Sequence, residues 1–105
     1  MGKFRVNISD LGKQDIREIA SYIKHTLQEP VIARRTVDAI VDAIHTLEDN
    51  PARIALVNDA RLASMQIRGL YVKNYTVFFR VSETSKIVEI IRVLYSRRDW
   101  AVLLG

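Results

Sequence analysis

The sequence feature that most constrains the fold is a stretch of helical periodicity over residues 10–49, interrupted once, at Gln28-Glu29-Pro30. On both sides of this interruption, apolar residues recur every three or four positions and charged residues lie opposite them, which is typical of amphipathic helices. Ser9-Asp10 supplies an N-cap for the first helix, Pro30 suits the first turn of the second, and Asn50-Pro51 ends it. We therefore expect a helical hairpin, whose apolar stripes must be buried against another surface.

That other surface is predicted to be a β-sheet. Residues 3–8 alternate between apolar and polar side chains, as expected for a strand with one buried face. Residues 51–64 show no clear period and are interpreted as a loop. Three runs rich in β-branched and aromatic residues follow, at Met65–Val72, Tyr75–Val81 and Lys86–Tyr95. The last run is almost continuously apolar, so we expect it to be the central strand, covered on both faces.

The predicted order of elements is β-α-α-β-β-β, in a single α+β domain over residues 1–105. We expect a small, mostly antiparallel sheet with the helical hairpin on one face, followed by a short C-terminal helix. In the strand at Tyr75–Val81, the odd-numbered residues are predicted to face the helices. Thr76, Phe78 and Arg80 would then lie on the opposite face, which we predict to be open and available for function.

The composition argues against several classes of protein. The chain has no cysteine, so disulfides and thiolate metal sites are excluded. Its first residues do not form the apolar run of a signal peptide, and no run of ~20 apolar residues is present to span a membrane. His25 and His45 lie on different predicted helices, without the carboxylates of a metal site. We predict a cytoplasmic protein with no membrane partner, no cofactor and no bound metal.

Positive charge is concentrated in the second part of the chain. Residues 1–60 contain eight Lys and Arg against nine Asp and Glu, whereas residues 61–105 contain eight against three, and the net charge is +4. A basic second half suits a polyanionic partner, either nucleic acid or an acidic protein segment. The alternative is that the charge serves solubility alone, and charge by itself favours that interpretation.

Cationic and aromatic side chains on or beside the predicted strands are the candidate functional residues. Arginine holds phosphate with a planar fork of donors and tyrosine rings stack on unpaired bases, so such residues could bind single-stranded RNA and stabilise a phosphate during cleavage. A structural alternative exists, because strands favour aromatic residues and edge arginines prevent aggregation of sheets. The candidates are Arg68, Lys73, Arg80, Arg92, Tyr95, Arg97, Arg98 and Trp100.

Two segments resemble toxins of the RelE/ParE superfamily. The run from Gly69 to Val81 is similar to the second and third strands of these toxins, and Arg92–Asp99 is similar to their R-V-L-x-x-x-R-D ending. The order of elements agrees over essentially the whole chain. The resemblance implies a small antiparallel sheet flanked by a helical hairpin, in the toxin of a bacterial type II toxin–antitoxin system. A cognate antitoxin would neutralise it by contacting the exposed side of the hairpin and the basic sheet surface.

The resemblance leaves the target of the toxin open. RelE-like members cut mRNA on the ribosome, and for that activity Lys73, Arg80, Tyr95 and Arg97 would be the catalytic candidates. Under either activity, Arg68, Arg92, Arg98 and Trp100 would contact the nucleic acid or another target. ParE-like members instead inhibit DNA gyrase and are not known as nucleases. An inactive relative that only binds an antitoxin is the third possibility.

Departures from the pattern of RelE-like nucleases favour DNA gyrase as the target. RelE-like nucleases usually carry an arginine just after the aromatic residue that opens the third strand, and here that position is Thr76. Their general base, a histidine or glutamate near the strands, has no clear counterpart, since Glu89 lies within the last predicted strand. The long helical hairpin is also more similar to ParE. RelE-like members nevertheless vary in the residues they use, so a weaker cationic site remains an alternative.

Overall fold

The computed structural model describes residues 3–104. Its helices and strands follow the predicted order, with one additional short helix. They are β1 (Arg5–Ile8), α1 (Asp10–Ser21), α2 (Pro30–His45), α3 (Ala60–Ser64), β2 (Arg68–Val72), β3 (Tyr75–Ser82), β4 (Ile87–Tyr95) and α4 (Trp100–Leu104). Helix α1 continues into a π-helical turn at Tyr22–Thr26, and 3₁₀ turns lie at Thr46–Glu48 and Pro51–Arg53. The predicted α+β class and the C-terminal helix are thus confirmed.

The four strands form one mixed sheet in the order β1-β4-β3-β2. Strand β1 pairs with β4 in parallel, from Arg5 opposite Ile87 to Ile8 opposite Ile90, whereas the other two pairings are antiparallel. A mostly antiparallel sheet with the last strand in its interior is therefore confirmed. Strand β4 is apolar almost throughout because it has a neighbouring strand on each side and packing on both faces.

Helix α1 begins where strand β1 ends, and Ser9, the residue just before the helix, forms hydrogen bonds with β4. The backbone N–H of Ser9 donates to the Ile90 carbonyl, and the Ser9 hydroxyl donates to the Ile91 carbonyl at 2.7 Å. The same hydroxyl oxygen accepts from the Gly12 N–H at 2.9 Å, which confirms Ser9 as the N-cap. A single serine therefore caps the helix and fixes its start against the central strand.

The helical hairpin covers one face of the sheet, as predicted. Side chains of α2 and the following turn meet those of the two central strands in the main core, where every residue is at most 8% exposed. The odd-numbered residues of β3 face this core. The principal members of the main core are Ile40, Ile44, Leu47, Val77, Phe79, Val88, Ile90 and Val93.

The opposite face of the sheet is covered as well, so the expectation that it is open is wrong over most of its length. Thr76 is 3% exposed and Phe78 is 1% exposed. Phe78 packs in a second core with Leu62 of α3, Leu94 of β4 and Trp100 of α4. Of the three residues expected on this face, Arg80 is the one that is exposed.

The covering element α3 lies in the segment that the sequence pattern indicated as a loop. The Asp59 side chain caps this helix by accepting from the Leu62 N–H at 3.0 Å, and Leu62 is fully buried. The interpretation of residues 51–64 as a loop is therefore wrong at α3. Its five residues complete little more than one turn, which is too short for a helical period to appear in the sequence.

Candidate binding groove

The tip of the helical hairpin and the ends of β3 and β4 frame a groove of about 670 Å³. Glu18, Tyr22 and Leu27 line its helical side, and Tyr75, Tyr95 and Arg98 line its sheet side. An adjoining groove of about 470 Å³ shares Leu27, Asn74 and Tyr75 and extends to Ile32, Arg35 and Lys73. The two grooves form one continuous surface, which we call the tip groove.

Three tyrosines are the main aromatic residues of the tip groove. Tyr75 and Tyr95 are partners in the β3–β4 register, and their rings meet edge to face with centroids 5.9 Å apart. Tyr22 lies on the π-helical turn and is 54% exposed. Burial, together with the neighbouring Tyr95 and Tyr22, raises the pKa of Tyr75 above its ordinary value of 10.0. Tyr75 is therefore a neutral phenol at physiological pH and cannot serve there as a general base.

The π-helical turn shapes the tip of the hairpin. The Leu27 N–H donates to the Tyr22 carbonyl, five residues back, and the Glu29 N–H donates to the Ile23 carbonyl. Such a turn widens the helix end and is frequent at functional sites. Beside it, Leu27, Val31 and Ile32 are each about half exposed or more, so the tip presents apolar side chains to solvent.

Asp15 forms the inner end of the groove and is buried. Its carboxylate accepts from Arg92 at Nε (2.8 Å) and Nη2 (2.9 Å), and from the Val93 backbone N–H at 2.9 Å. The hydrogen bonding of Arg92 to the Asp15 carboxylate, which accepts, is the main reason why the pKa of Arg92 is raised. Arg92 sits beside a bulge, where β3 residues Phe78 and Phe79 face Arg92 and Ile90. This predicted binding residue thus connects α1 to the irregular part of β4.

Two further predicted binding residues also make contacts within the fold. The Arg68 guanidinium donates through Nη1 to the carbonyls of Ala52 (3.3 Å) and Ile54 (2.6 Å), which fixes the preceding segment to the start of β2. The ring of Trp100 packs on Phe78, with centroids 5.3 Å apart. Both side chains are partly buried, so their structural contacts occupy much of the surface that a target could touch.

The four candidates for catalysis do not lie together. Lys73, in the β2–β3 turn, and Tyr95, at the end of β4, belong to the tip groove, and Arg97 follows two residues later and is exposed. Arg80 lies near the other end of β3, opposite Glu89, in a separate shallow groove of about 300 Å³. Arg80 and Tyr75 are five positions apart along an extended strand, which corresponds to roughly 17 Å.

Sequence analysis missed the helical side of the tip groove. Glu18, Tyr22 and Leu27 were not among the candidates, although Tyr22 falls outside the apolar stripe formed by Ile19 and Ile23. A large aromatic residue away from the buried stripe of a helix was the signal available. Within residues 3–104, no group of three or more metal-ligating side chains is found, and no helix there is long and apolar enough to cross a membrane.

The fold is the one expected for toxins of the RelE/ParE superfamily, and the comparison with protein families agrees. Residues 6–100 match the family described as ParE toxin of type II toxin-antitoxin system, parDE. The chain therefore belongs to the ParE toxin family, and the resemblance to the RelE/ParE superfamily is confirmed.

Two solved structures with the same fold belong to toxin–antitoxin systems. The chromosomal ParDE system from P. aeruginosa superimposes with a TM-score of 0.72 and 18% identity, covering 89% of this chain and 96% of the other. The toxin–antitoxin complex RelBE2 from Mycobacterium tuberculosis gives a TM-score of 0.64 and 16% identity, covering 89% and 98%. At such identities the similarity concerns the fold alone. No match is found among curated proteins.

Proposed function

We propose that this toxin inhibits DNA gyrase in the cytoplasm and that a cognate antitoxin neutralises it. The observation that carries the proposal is the dispersal of the cations that an mRNA nuclease would need. Arg80 is remote from Tyr95, and Arg92 is neutralised by Asp15. Without Arg80 and a free Arg92, the charge that develops on a cleaved phosphate beside Tyr95 would have less stabilisation.

The position of Thr76 supports the same proposal. This residue stands where RelE-like nucleases are expected to carry an arginine, and it is buried. Its hydroxyl forms a hydrogen bond with the Ser96 hydroxyl at 2.7 Å, across the end of the β3–β4 pair. A buried, uncharged and internally hydrogen-bonded side chain supplies no positive charge at the position where an arginine would hold phosphate.

An antitoxin partner is supported by the exposed apolar residues of the hairpin tip. Leu27, Val31 and Ile32 lie close together in sequence around the start of α2, and each is about half exposed or more. Apolar residues gathered at one end of a small fold are typical of a surface that another protein covers. Both structural neighbours belong, by their descriptions, to toxin–antitoxin systems.

The proposal is tested by two assays on the purified chain. We expect inhibition of DNA supercoiling by gyrase, and no cleavage of mRNA in a ribosome-dependent translation reaction. The opposite pair of results would establish the nuclease alternative, with Lys73, Tyr95 and Arg97 as the residues to test. Absence of both effects, from a folded chain, would support the inactive antitoxin-binding relative.

A variant in the exposed segment after β4 tests whether this segment contacts gyrase. We expect Arg98→Ala to weaken gyrase inhibition at least about fivefold, because truncating an arginine at the centre of an interface costs more than about 1 kcal/mol. Arg17→Ala, which removes an exposed arginine from α1, is the matched control and should inhibit like the unmodified chain. Equal inhibition by both variants would exclude Arg98 from the gyrase contact.

A further inference from the structure

We infer that the tip groove binds the side chain of an arginine carried by the antitoxin. This inference rests on the proposed pairing with an antitoxin, and it names the chemistry that the groove recognises. The groove presents aromatic faces on its sheet side, and an acid together with an aliphatic surface on its helical side. Each of these features matches a different part of an arginine side chain.

The aromatic side of the groove suits a cation. Tyr75 and Tyr95 meet edge to face, so their rings have different orientations, and both residues line the same groove. Tyr22 faces the same groove from the π-helical turn, and Tyr22 and Tyr95 are 54% and 40% exposed. A guanidinium within ~6 Å of a tyrosine centroid is attracted by the negative face of the ring, and several rings around one cation form an aromatic cage.

Glu18 supplies the countercharge. Its carboxylate lines the groove, and no lysine, arginine or histidine nitrogen lies within 4.0 Å of it in the described part of the chain. Gln14 donates to its Oε2 at 2.9 Å, which restricts the orientation of the carboxylate without neutralising it. Asp15, the other acid that lines the 670 Å³ part of the groove, already has Arg92 as its partner. In that part, beside the three tyrosines, Glu18 is therefore the carboxylate that remains for an incoming cation.

Arginine fits these features better than the alternatives. Its planar guanidinium can stack on a ring and donate to a carboxylate at once, whereas the ammonium of lysine is a compact, strongly hydrated charge. Its three methylenes can lie along Ile19 and Leu27, which also line the groove. A phosphate is disfavoured because Glu18 would repel it. In the 670 Å³ part of the tip groove, Arg98 is the one cation among the described residues, and it forms no ion pair in the range 3–104. Arg35 and Lys73 line the adjoining part, and all three would disfavour a second positive residue beside the arginine.

Peptide titrations followed by NMR chemical shifts test the inference on the full chain. The probe is the acetylated, amidated pentapeptide Gly-Leu-Arg-Leu-Gly, and the control peptide contains citrulline, which has the same shape as arginine but no charge. We expect the arginine peptide to shift signals of Glu18, Tyr22, Tyr75 and Tyr95, and to bind at least about threefold more tightly than the citrulline peptide. Equal binding of the two peptides, or no shift at these residues, would overturn the inference.

Two pairs of variants separate the contributions of the acid and the ring. Glu18→Gln and Tyr22→Ala should each weaken binding of the arginine peptide about two- to fivefold, as expected for an exposed ion pair or cation–π contact. Glu83→Gln and Tyr71→Ala, at exposed positions outside the groove, are the matched controls. If Tyr22→Ala loses its fold, Glu18→Gln still decides, because that side chain is exposed and an amide preserves its shape.

A nucleotide titration separates this inference from the nuclease alternative. Adenosine monophosphate should leave the signals of Tyr75 and Tyr95 unshifted. Shifts there that the arginine peptide cannot compete away would overturn the inference and favour RNA as the occupant. The gyrase assay contains no peptide, so failure of the arginine site leaves its result unchanged, and loss of gyrase inhibition leaves the peptide result unchanged.

Discussion

At the scale of single residues, Asp15 and Arg92 illustrate how a pattern can mislead. The sequence places Asp15 on the polar side of α1 and Arg92 among the cations of the basic half, so neither indicates the other. In the structure the two side chains form a double hydrogen bond, and Asp15 also binds the backbone of β4. They are 77 positions apart, and no local period reveals a contact at that separation.

Asp15→Asn should destabilise the fold by about 2–3 kcal/mol, because the new amide N–H₂ faces the donors of Arg92 and the buried ion pair is lost. Urea unfolding of the variant and of the unmodified chain measures the difference. Asp42→Asn, at an exposed site on α2, serves as the control and should change stability by less than about 0.5 kcal/mol. Equal stabilities for the two variants would contradict the structural role assigned to Asp15.

Tyr75 should make stability depend on pH in the alkaline range. Its pKa is raised in the fold, mainly by burial, so the contribution to stability is complete below the unfolded value of about 10 and is lost as pH rises through the folded pKa. Between pH 7 and about pH 10.5, the unmodified chain should lose more stability than Tyr75→Phe. Urea unfolding at both pH values provides the measurement, and equal losses would count against the proposed environment of the phenol.

At the scale of elements, the long helices and the strands were predictable and the short helices were not. The apolar periods of residues 10–49 and the alternation in β1 are strong signals because each covers several residues of one face. Helix α3 is too short to show a period, and it covers the sheet face that was expected to be open. The candidate binding groove was half predictable for the same reason. The sheet residues Lys73 and Tyr95 were found by their place at strand ends, whereas Glu18 and Tyr22 depend on how the hairpin tip meets the sheet.

Helix α4 should contribute to stability through Trp100. Removing the ring in Trp100→Ala should cost about 2 kcal/mol, because the contact with Phe78 is lost and the second core is partly uncovered. Val102→Ala changes the same helix at a side chain that is 73% exposed, and it should cost less than about 0.5 kcal/mol. A similar loss in both variants, by thermal unfolding, would mean that the ring does not anchor the helix.

At the scale of the whole molecule, the distribution of charge along the chain differs from its distribution around the tip groove. Most of the excess positive charge lies in residues 61–105, yet Arg68 and Arg92 use theirs for contacts inside the fold. The tip groove is instead mixed, with Glu18 on its helical side and Lys73 and Arg98 on its sheet side. Net charge therefore says little about the partner of this protein, and the arrangement of charges around the groove says more.

The parallel pairing of β1 with β4 also has a consequence for synthesis. Residues 5–8 pair with residues 87–90, so β1 can join the sheet only after β4 has been synthesised. A contact between such distant parts of the chain closes late in folding. On the ribosome the helical hairpin can form early, but the sheet that carries Tyr75 and Tyr95 is complete only after β4 has emerged. On a growing chain, the sheet side of the tip groove is therefore incomplete until the last strand has emerged.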